Sequence, residues 1–399
     1  MKKLSQGVKA YMRLEEIPFM HWGVISRYNF SEDKIHLIPR KKWDPLSAAP
    51  IMLQDASGRL VPIGKWKGHF SYISPIRGSR PGGEERREGS TTDVFREIIE
   101  GRDYAIFVTV DANRFDGVFS TEPVMNEIKD AYAATIVNRY PAMVRVIDSE
   151  LERTLRMRIE DEYTRIAHGI NLVTFPVSKY YETFSEASVE SLTWLFLSLI
   201  EAIKTGVDDA RKRGFSLIPT YVFFNIGSLA GGTQPRLHAQ TYIDLNQDGH
   251  GAYMENVLQA FDTMKGKCHI CTSRHDNRII FENNTWISWA TSAPRRNFHV
   301  RIAPKRHVER ITELDRIEIT GLAETLIRIS RGMDKAGVAH DRYVLIYSNP
   351  FGYNSFFHLF IDFVPFEKIG GIEVLDSVRV ARIAPEEVAR ILRSAMSDG

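Results

Sequence analysis

The sequence predicts an α+β protein built of two repeats, and three observations carry that prediction. The order strand, helix, strand occurs twice, ending at Tyr221-Val222-Phe223-Phe224 and again at Tyr343-Val344-Leu345-Ile346. Each final strand follows a segment with apolar residues at helical spacing. The length of 399 residues exceeds one small core and suits two domains or one domain duplicated.

Residues 1–60 lack periodicity and read as an extension of turns and short strands. A first repeat over 61–250 opens with YISPIRGSRPGGEERREG, a strand end followed by a Gly/Pro/charge loop. Strands follow at Ile106–Val110, after the turn at Asn138–Val146, and at Ile170–Phe175. A helix over Ser185–Ala210 carries Val189, Leu192, Leu195, Phe196, Leu199 and Ile203 inward and closes on Arg-Lys-Arg-Gly. The second repeat, 251–399, has strands over Ile279–Trp289 around the Asn283-Asn284 turn and over His299–Ala303. Its helix, Leu314–Ile329, turns Leu314, Ile317, Leu322, Leu326 and Ile329 inward, and the strand Tyr343–Tyr347 follows.

Composition excludes several functions. A net charge of +2 without a clustered basic face gives no case for nucleic-acid binding. The longest apolar run, Leu192–Ile200, is too short to span a bilayer, so no membrane role is expected. The first residues, MKKLSQGVKAYMRLEE, lack the apolar segment of a signal peptide, and two cysteines make no disulfide framework; the cytoplasm is the expected location.

Overlaying Tyr221 on Tyr343 sets Arg236 on His358 and His238 on Phe360. A histidine can ligate metal and an arginine cannot; a histidine can act as a nucleophile and a phenylalanine cannot. The first half also lacks cysteine, so the halves divide into a chemical one and a metal-binding one. Cys268-His-Ile-Cys271 is a knuckle that needs two further ligands to close a tetrahedral zinc site, and His307 and His358 are the expected pair. His269 and His275 are competing donors, and two buried thiols or a redox pair is the plain alternative. Four protein ligands would leave no open position, so the zinc is expected to be structural.

The loop GGTQPRLHAQ, Gly231–Gln240, is either a turn before a core histidine or a loop holding a phosphate against a nucleophilic imidazole. Here FFNIGSLAGGTQPRLHAQ resembles the active-site signature of galactose-1-phosphate uridylyltransferases, a branch of the histidine triad superfamily, in which the second histidine of His-Pro-His-Gly-Gln is the nucleophile. SPIRGSRP, NRYPA and YYETF resemble further elements of that family in order, Tyr180 replacing a histidine. Cys-x-x-Cys, Pro-Lys-Arg-His and His-Leu-Phe-Ile-Asp-Phe-Val-Pro resemble the zinc-bearing half of related transferases and phosphorylases. The resemblance covers residues 70–399.

It implies two histidine-triad-like repeats, each an antiparallel sheet with packed helices, and a homodimer with shared active sites. His238 would be the nucleophile, with Gln240 beside it as a neutral donor. Arg77, Arg80, Asn138, Asn225, Gly231 and Thr233 would contact nucleotide and phosphate. Lys368 and Glu373, in KIGGIEVLDSVR, would meet the acceptor sugar phosphate, while Arg379 stands where the family has glutamine. The implied reaction moves UMP between a UDP-sugar and a hexose 1-phosphate through a uridylyl-histidine. Inorganic phosphate acting on an ADP-sugar or dinucleoside polyphosphate is the rival chemistry, and a non-catalytic zinc-stapled nucleotide-binding protein is the rival of another class. The residues keep their bland readings: Arg77 and Arg80 as solvated loop charges, Lys368 and Glu373 as surface, Asn225 as a turn cap. Arg236, in place of the first histidine, is expected to replace a metal's charge with a guanidinium tied to a carboxylate.

Overall fold

The computed structural model describes residues 8–10, 17, 21–79, 93–105, 107–111, 114–117, 127–128, 131–264 and 266–397. Arg80 lies outside the described residues. In chain order the elements used below are β1 (Arg40–Gln54), β2 (Leu60–Ile73), α1 (Val94–Ile99), β3 (Phe107–Asp111), β4 (Arg114–Gly117), β5 (Ala133–Val137) and β6 (Gly169–Pro176). They continue with α2 (Val189–Lys212), β7 (Thr220–Ile226), β8 (Ala239–Asp244), α3 (His269–Thr272), β9 (Ile279–Glu282), β10 (Trp286–Ala290) and β11 (Val300–Pro304). The chain closes with α4 (Arg316–Lys335), β12 (Arg342–Tyr347), β13 (Phe360–Pro365) and α5 (Pro385–Ser397).

Among the described residues, eleven strands join in one sheet, ordered β9-β10-β11-β13-β12-β7-β8-β6-β5-β3-β4. The expected α+β class holds, and the sheet is continuous across the two halves. Its centre is the antiparallel pair β7–β12, where Phe223 faces Leu345. The overlay of Tyr221 on Tyr343 sets those same two residues against each other, and the strand order is two-fold symmetric about this pair. Outward from it, the sequence β7, β8, β6, β5, β3 on one side answers β12, β13, β11, β10, β9 on the other.

Period-two alternation makes these central strands. Val222, Phe224 and Ile226 are buried on one face, while Tyr221, Phe223 and Asn225 are half-buried on the other. The buried face meets α2, whose Leu192, Leu195, Phe196, Leu199 and Ile203 are all removed from water, each contributing about 1.5–3 kcal/mol. Ser188 caps α2 by accepting the Ser191 amide, and Asp315 with Glu318 forms a capping box on α4. Ile317, expected inward, is 73% exposed. Because α4 begins at Arg316, its buried stripe runs through Ile319, Leu322, Leu326 and Ile329 instead. No helix among the described residues is long and apolar enough to cross a membrane.

Residues 1–60, expected as turns and short strands, include the fifteen-residue β1, which pairs with β2 in a hairpin whose turn approaches residue 60. Both faces of its outer part are exposed, so no apolar alternation betrays it. Its root is fastened by the fully buried Lys41, with Nζ 3.2 Å from Asp244 and 2.6 Å from Asp248. Burial alone would lower the Lys41 ammonium; the two carboxylates outweigh burial and hold it raised. The Tyr72 hydroxyl also donates to Asp244, at 2.9 Å. The hairpin thereby leads its following turn, Pro75–Ser79, onto the face of β8 that carries the site.

Candidate active site and metal cluster

β8 is entered through His238, and alternation sets His238, Gln240, Tyr242 and Asp244 on one face. His238 is 5% exposed, which on its own would fit a core histidine. It also borders a cavity of about 120 Å3, lined by Gln240, Asn138, Arg139, Tyr140 and Gln234 over a floor that includes Val94, Phe95, Ile136 and Val173. Nδ1 lies 2.7 Å from the Arg236 carbonyl. A carbonyl only accepts, so Nδ1 carries a hydrogen, and in the uncharged form of the ring the lone pair is on Nε2. The Phe95 ring packs 5.2 Å from the imidazole, itself backed by Phe175 at 4.4 Å.

Arg236 is buried and tied down by three elements. Its Nε and Nη2 each lie 2.8 Å from Asp93 Oδ2, and Nη1 donates to the carbonyls of Pro176 and Lys179, both at 3.1 Å. Its guanidinium also stacks 4.8 Å from the Tyr180 ring centroid. Asp93 does a second job: its side chain accepts the Phe95 amide and caps α1. One carboxylate therefore fixes both the aromatic wall and the residue whose carbonyl orients His238.

The loop before His238 is tight for a steric reason. Gly227 and Gly231 both take φ +79°, and a Cβ on Gly232 would stand 2.6 Å from the Gly227 carbonyl oxygen. The Gly231 amide, expected to face phosphate, donates to the Ser228 carbonyl within the loop, and the Gly232 amide to that of Gly227. The Asn225 side chain lies under Gly231, and Thr233 is half-buried at the loop's end. Arg77 donates to the Tyr242 hydroxyl at 3.3 Å, on the His238 face but outside the cavity lining.

Other expected residues are elsewhere. Glu373 pairs with Arg296, and Arg379 pairs with Glu367 and lies 3.6 Å from Glu373. Neither these nor Lys368 lines the His238 cavity. Conversely, Arg139, Tyr140, Gln234 and Asp93 belong to the site without having been singled out. Arg139, paired with Asp103, and Tyr140 adjoin Asn138 in NRYPA, and Gln234 opens the Gln-Pro-x-x-His-x-Gln element. Asp93 had no signal at all.

In the other half, donor atoms of Cys268, Cys271, His307 and His358 all lie within 4.8 Å of one another. His358 Nδ1 is 3.3 Å from Cys268 Sγ and 3.4 Å from Cys271 Sγ, and His307 Nδ1 is 3.6 Å from Cys271 Sγ. Two such ligands on a tetrahedral ion, at about 2.3 Å for sulfur and 2.05 Å for nitrogen, stand about 3.5 Å apart. His358 Nε2 donates to the Pro304 carbonyl at 3.0 Å, which turns the Nδ1 lone pair toward the thiols. Burial lowers His358 to about 4, so the ring is neutral at pH 7. The cluster can hold a metal ion. The competing donors stand outside the cluster: His275 stacks on Trp289 at 3.8 Å, and His269 lines a neighbouring cavity.

No family model matches the chain. A galactose-1-phosphate uridylyltransferase of Thermotoga maritima is 25% identical over 187 residues, 43% of this chain and 59% of that protein's length. Among solved structures, a uridylyltransferase superposes with a TM-score of 0.57 at 22% identity, over 67% of this chain and 85% of its own. An ADP-glucose phosphorylase from Arabidopsis thaliana, solved with bound ADP-glucose, gives a TM-score of 0.60 at 18% identity, over 86% and 99%. The chain thus resembles the galactose-1-phosphate uridylyltransferase family in sequence, and proteins of that kind in fold.

Proposed function

We propose that the protein is a nucleotidyltransferase that moves UMP between a UDP-hexose and a hexose 1-phosphate by a ping-pong route through His238. The observation that carries this reading is the Nδ1–H bond from His238 to the Arg236 carbonyl, on a ring that lines a cavity shared with Gln240 and Asn138. The Nε2 lone pair attacks the α-phosphorus, and an N–P bond forms. The P–O bond to the sugar phosphate breaks, its electron pair leaving on an already stable anion, so no strong general acid is required. As the ring becomes cationic, the Nδ1–H bond to the Arg236 carbonyl strengthens. Gln240, Asn138 and Arg139 supply donors to the phosphoryl oxygens. The hexose 1-phosphate then attacks the same phosphorus, the N–P bond breaks, and the unmodified imidazole is restored.

A cavity of about 120 Å3 takes a base or a phosphoryl group, not a whole nucleotide sugar. Further groups must close over the substrate. Arg80, Lys368, Glu373 and Arg379 are proposed to do so from a second copy of the chain, with Arg77 beside Tyr242 on the His238 face. The segment bearing the last three exposes Ile369, Val374, Leu375 and Val380 by 60–80%, an apolar run suited to burial in a homodimer. In this reading the halves are histidine-triad-like repeats, 61–250 chemical and 251–399 stapled by structural zinc on Cys268, Cys271, His307 and His358. Exchange of labelled glucose 1-phosphate into UDP-glucose without a second sugar tests the route. Exchange is expected; its absence with UDP-glucose but presence with ADP-glucose and inorganic phosphate would favour the phosphorylase reading.

A further inference from the structure

The two-fold relation between the halves extends to their cavities. In the first half, Val173 pairs across the sheet with Gln240 and with Ile136. In the second, Arg301 pairs with Asp362 and with Trp289. The register that sets Phe360 on His238 therefore sets Arg301 on Val173 and Trp289 on Ile136, with Thr291 on Asn138 and Ser292 on Arg139. A cavity of about 420 Å3 opens at that place, lined by Phe360, Arg301, Trp289, Thr291 and Ser292. Its far wall repeats the pattern. Val94 and Phe95, just after the Asp93 cap, border the first cavity, and His269 and Ile270, just after the Cys268 cap, border the second.

The two cavities differ in chemistry. The second has no imidazole at the nucleophile's position, since Phe360 lies under the Arg301 guanidinium at 4.5 Å. It gains three arginines, Arg274, Arg278 and Arg301, with hydroxyls from Ser273, Thr291 and Ser292, and no carboxylate lines it. Asp362 neutralises Arg301 from below, at 2.7 and 3.0 Å, and Glu386 stands 3.9 Å from Arg278. Arg274 is exposed and has no carboxylate partner among the described residues. Aromatic walls from Phe261, Phe360 and the His275–Trp289 stack lower the dielectric around these charges and focus their field. The volume falls in the range of small-ligand sites.

We infer that this second cavity binds a phosphomonoester, a nucleoside or sugar phosphate, and holds it without transferring it. Arginine forks and hydroxyls suit a phosphate dianion, and the flat aromatic wall suits an attached ring. The inference does not depend on transfer at His238.

Equilibrium dialysis of the full chain against labelled UMP, glucose 1-phosphate and inorganic phosphate tests it. Arg274→Glu reverses the exposed charge, and Ser292→Trp fills the cavity from the opposite wall. Each is expected to remove one bound equivalent of UMP or of glucose 1-phosphate, weakening that site at least tenfold, while label transfer to His238 proceeds at the wild-type rate. Retention of every equivalent by both variants overturns the inference, as does a site that takes inorganic phosphate alone. A chain that forms no adduct on His238 yet loses an equivalent with these variants supports the second site and rejects the transferase reading. A chain that forms the adduct and loses none does the reverse.

Discussion

The Asp93 carboxylate holds the Arg236 guanidinium at 2.8 Å, at the position where the other half gathers Cys268, Cys271, His307 and His358. Arg236 answers His358 in the register of the halves, and Asp93 caps α1 as Cys268 caps α3. Tyr180, against the guanidinium, plays the part of His307 beside His358. A salt bridge stands in one half where four residues able to hold a metal ion gather in the other.

Asp93→Asn strips the counter-ion from a guanidinium only 7% exposed. Loss of one partner of a buried pair costs about 3–5 kcal/mol, which urea unfolding will show. Because the Arg236 carbonyl orients His238, nucleotidyl labelling should also slow about 100-fold, the scale of a 1 Å misplacement. Asp93→Glu should restore part of the labelling rate; equal rates in all three proteins would reduce the pair to a purely structural role.

Gly232→Ala should act on the loop with little effect on the core. The new methyl would meet the Gly227 and Asn225 carbonyl oxygens at 2.6 and 2.8 Å. The loop must open to relieve this contact, so labelling of His238 should fall at least tenfold, an effect of about 1.4 kcal/mol on the barrier. Thermal unfolding should move by only a few degrees.

Much of this was legible in the sequence, for identifiable reasons. Cys268, Cys271, His307 and His358 could be grouped because few residue types ligate metal, the two cysteines form a knuckle, and the overlay of the two Tyr-Val strands singled out His358. His238 stood out because its counterpart is Phe360. Asp93 could not be found, since it meets Arg236 from 143 positions away and the charged stretch before it shows no pattern. β1 was missed because a ribbon exposed on both faces needs no alternation. Lys368, Glu373 and Arg379 were grouped with His238 by resemblance alone, and within one chain Glu373 and Arg379 form their own ion-pair cluster with Glu367 and Arg296.

Metal content should be one zinc per chain, measured by atomic emission on protein prepared without chelator. Cys271→Ser should reduce it to none. Metal held at a thousandfold above its Kd stabilises by about 4 kcal/mol, so chelator should lower the melting temperature of the wild type and leave that of Cys271→Ser unchanged.

Stability should fall on acidification below the ordinary histidine range. Burial lowers His168 to about 3, helped by Arg213, and lowers His250 to about 4. Between pH 6.5 and about 4 the unfolded chain binds protons at these positions and the folded chain does not. Unfolding is therefore favoured as pH falls, by up to about 1.4 kcal/mol per pH unit per histidine. Urea titrations at pH 7 and pH 5 should show this loss, and His250→Asn should lessen it.

The most direct test of the account is covalent. The protein is incubated with UDP-glucose labelled at the α-phosphorus, denatured, and digested under alkaline conditions, and the labelled peptide is sequenced. One acid-labile, alkali-stable label per chain on His238, absent from His238→Ala, is the predicted result. Tight binding of the nucleotide with no label on the chain, or label on any other residue, would contradict it.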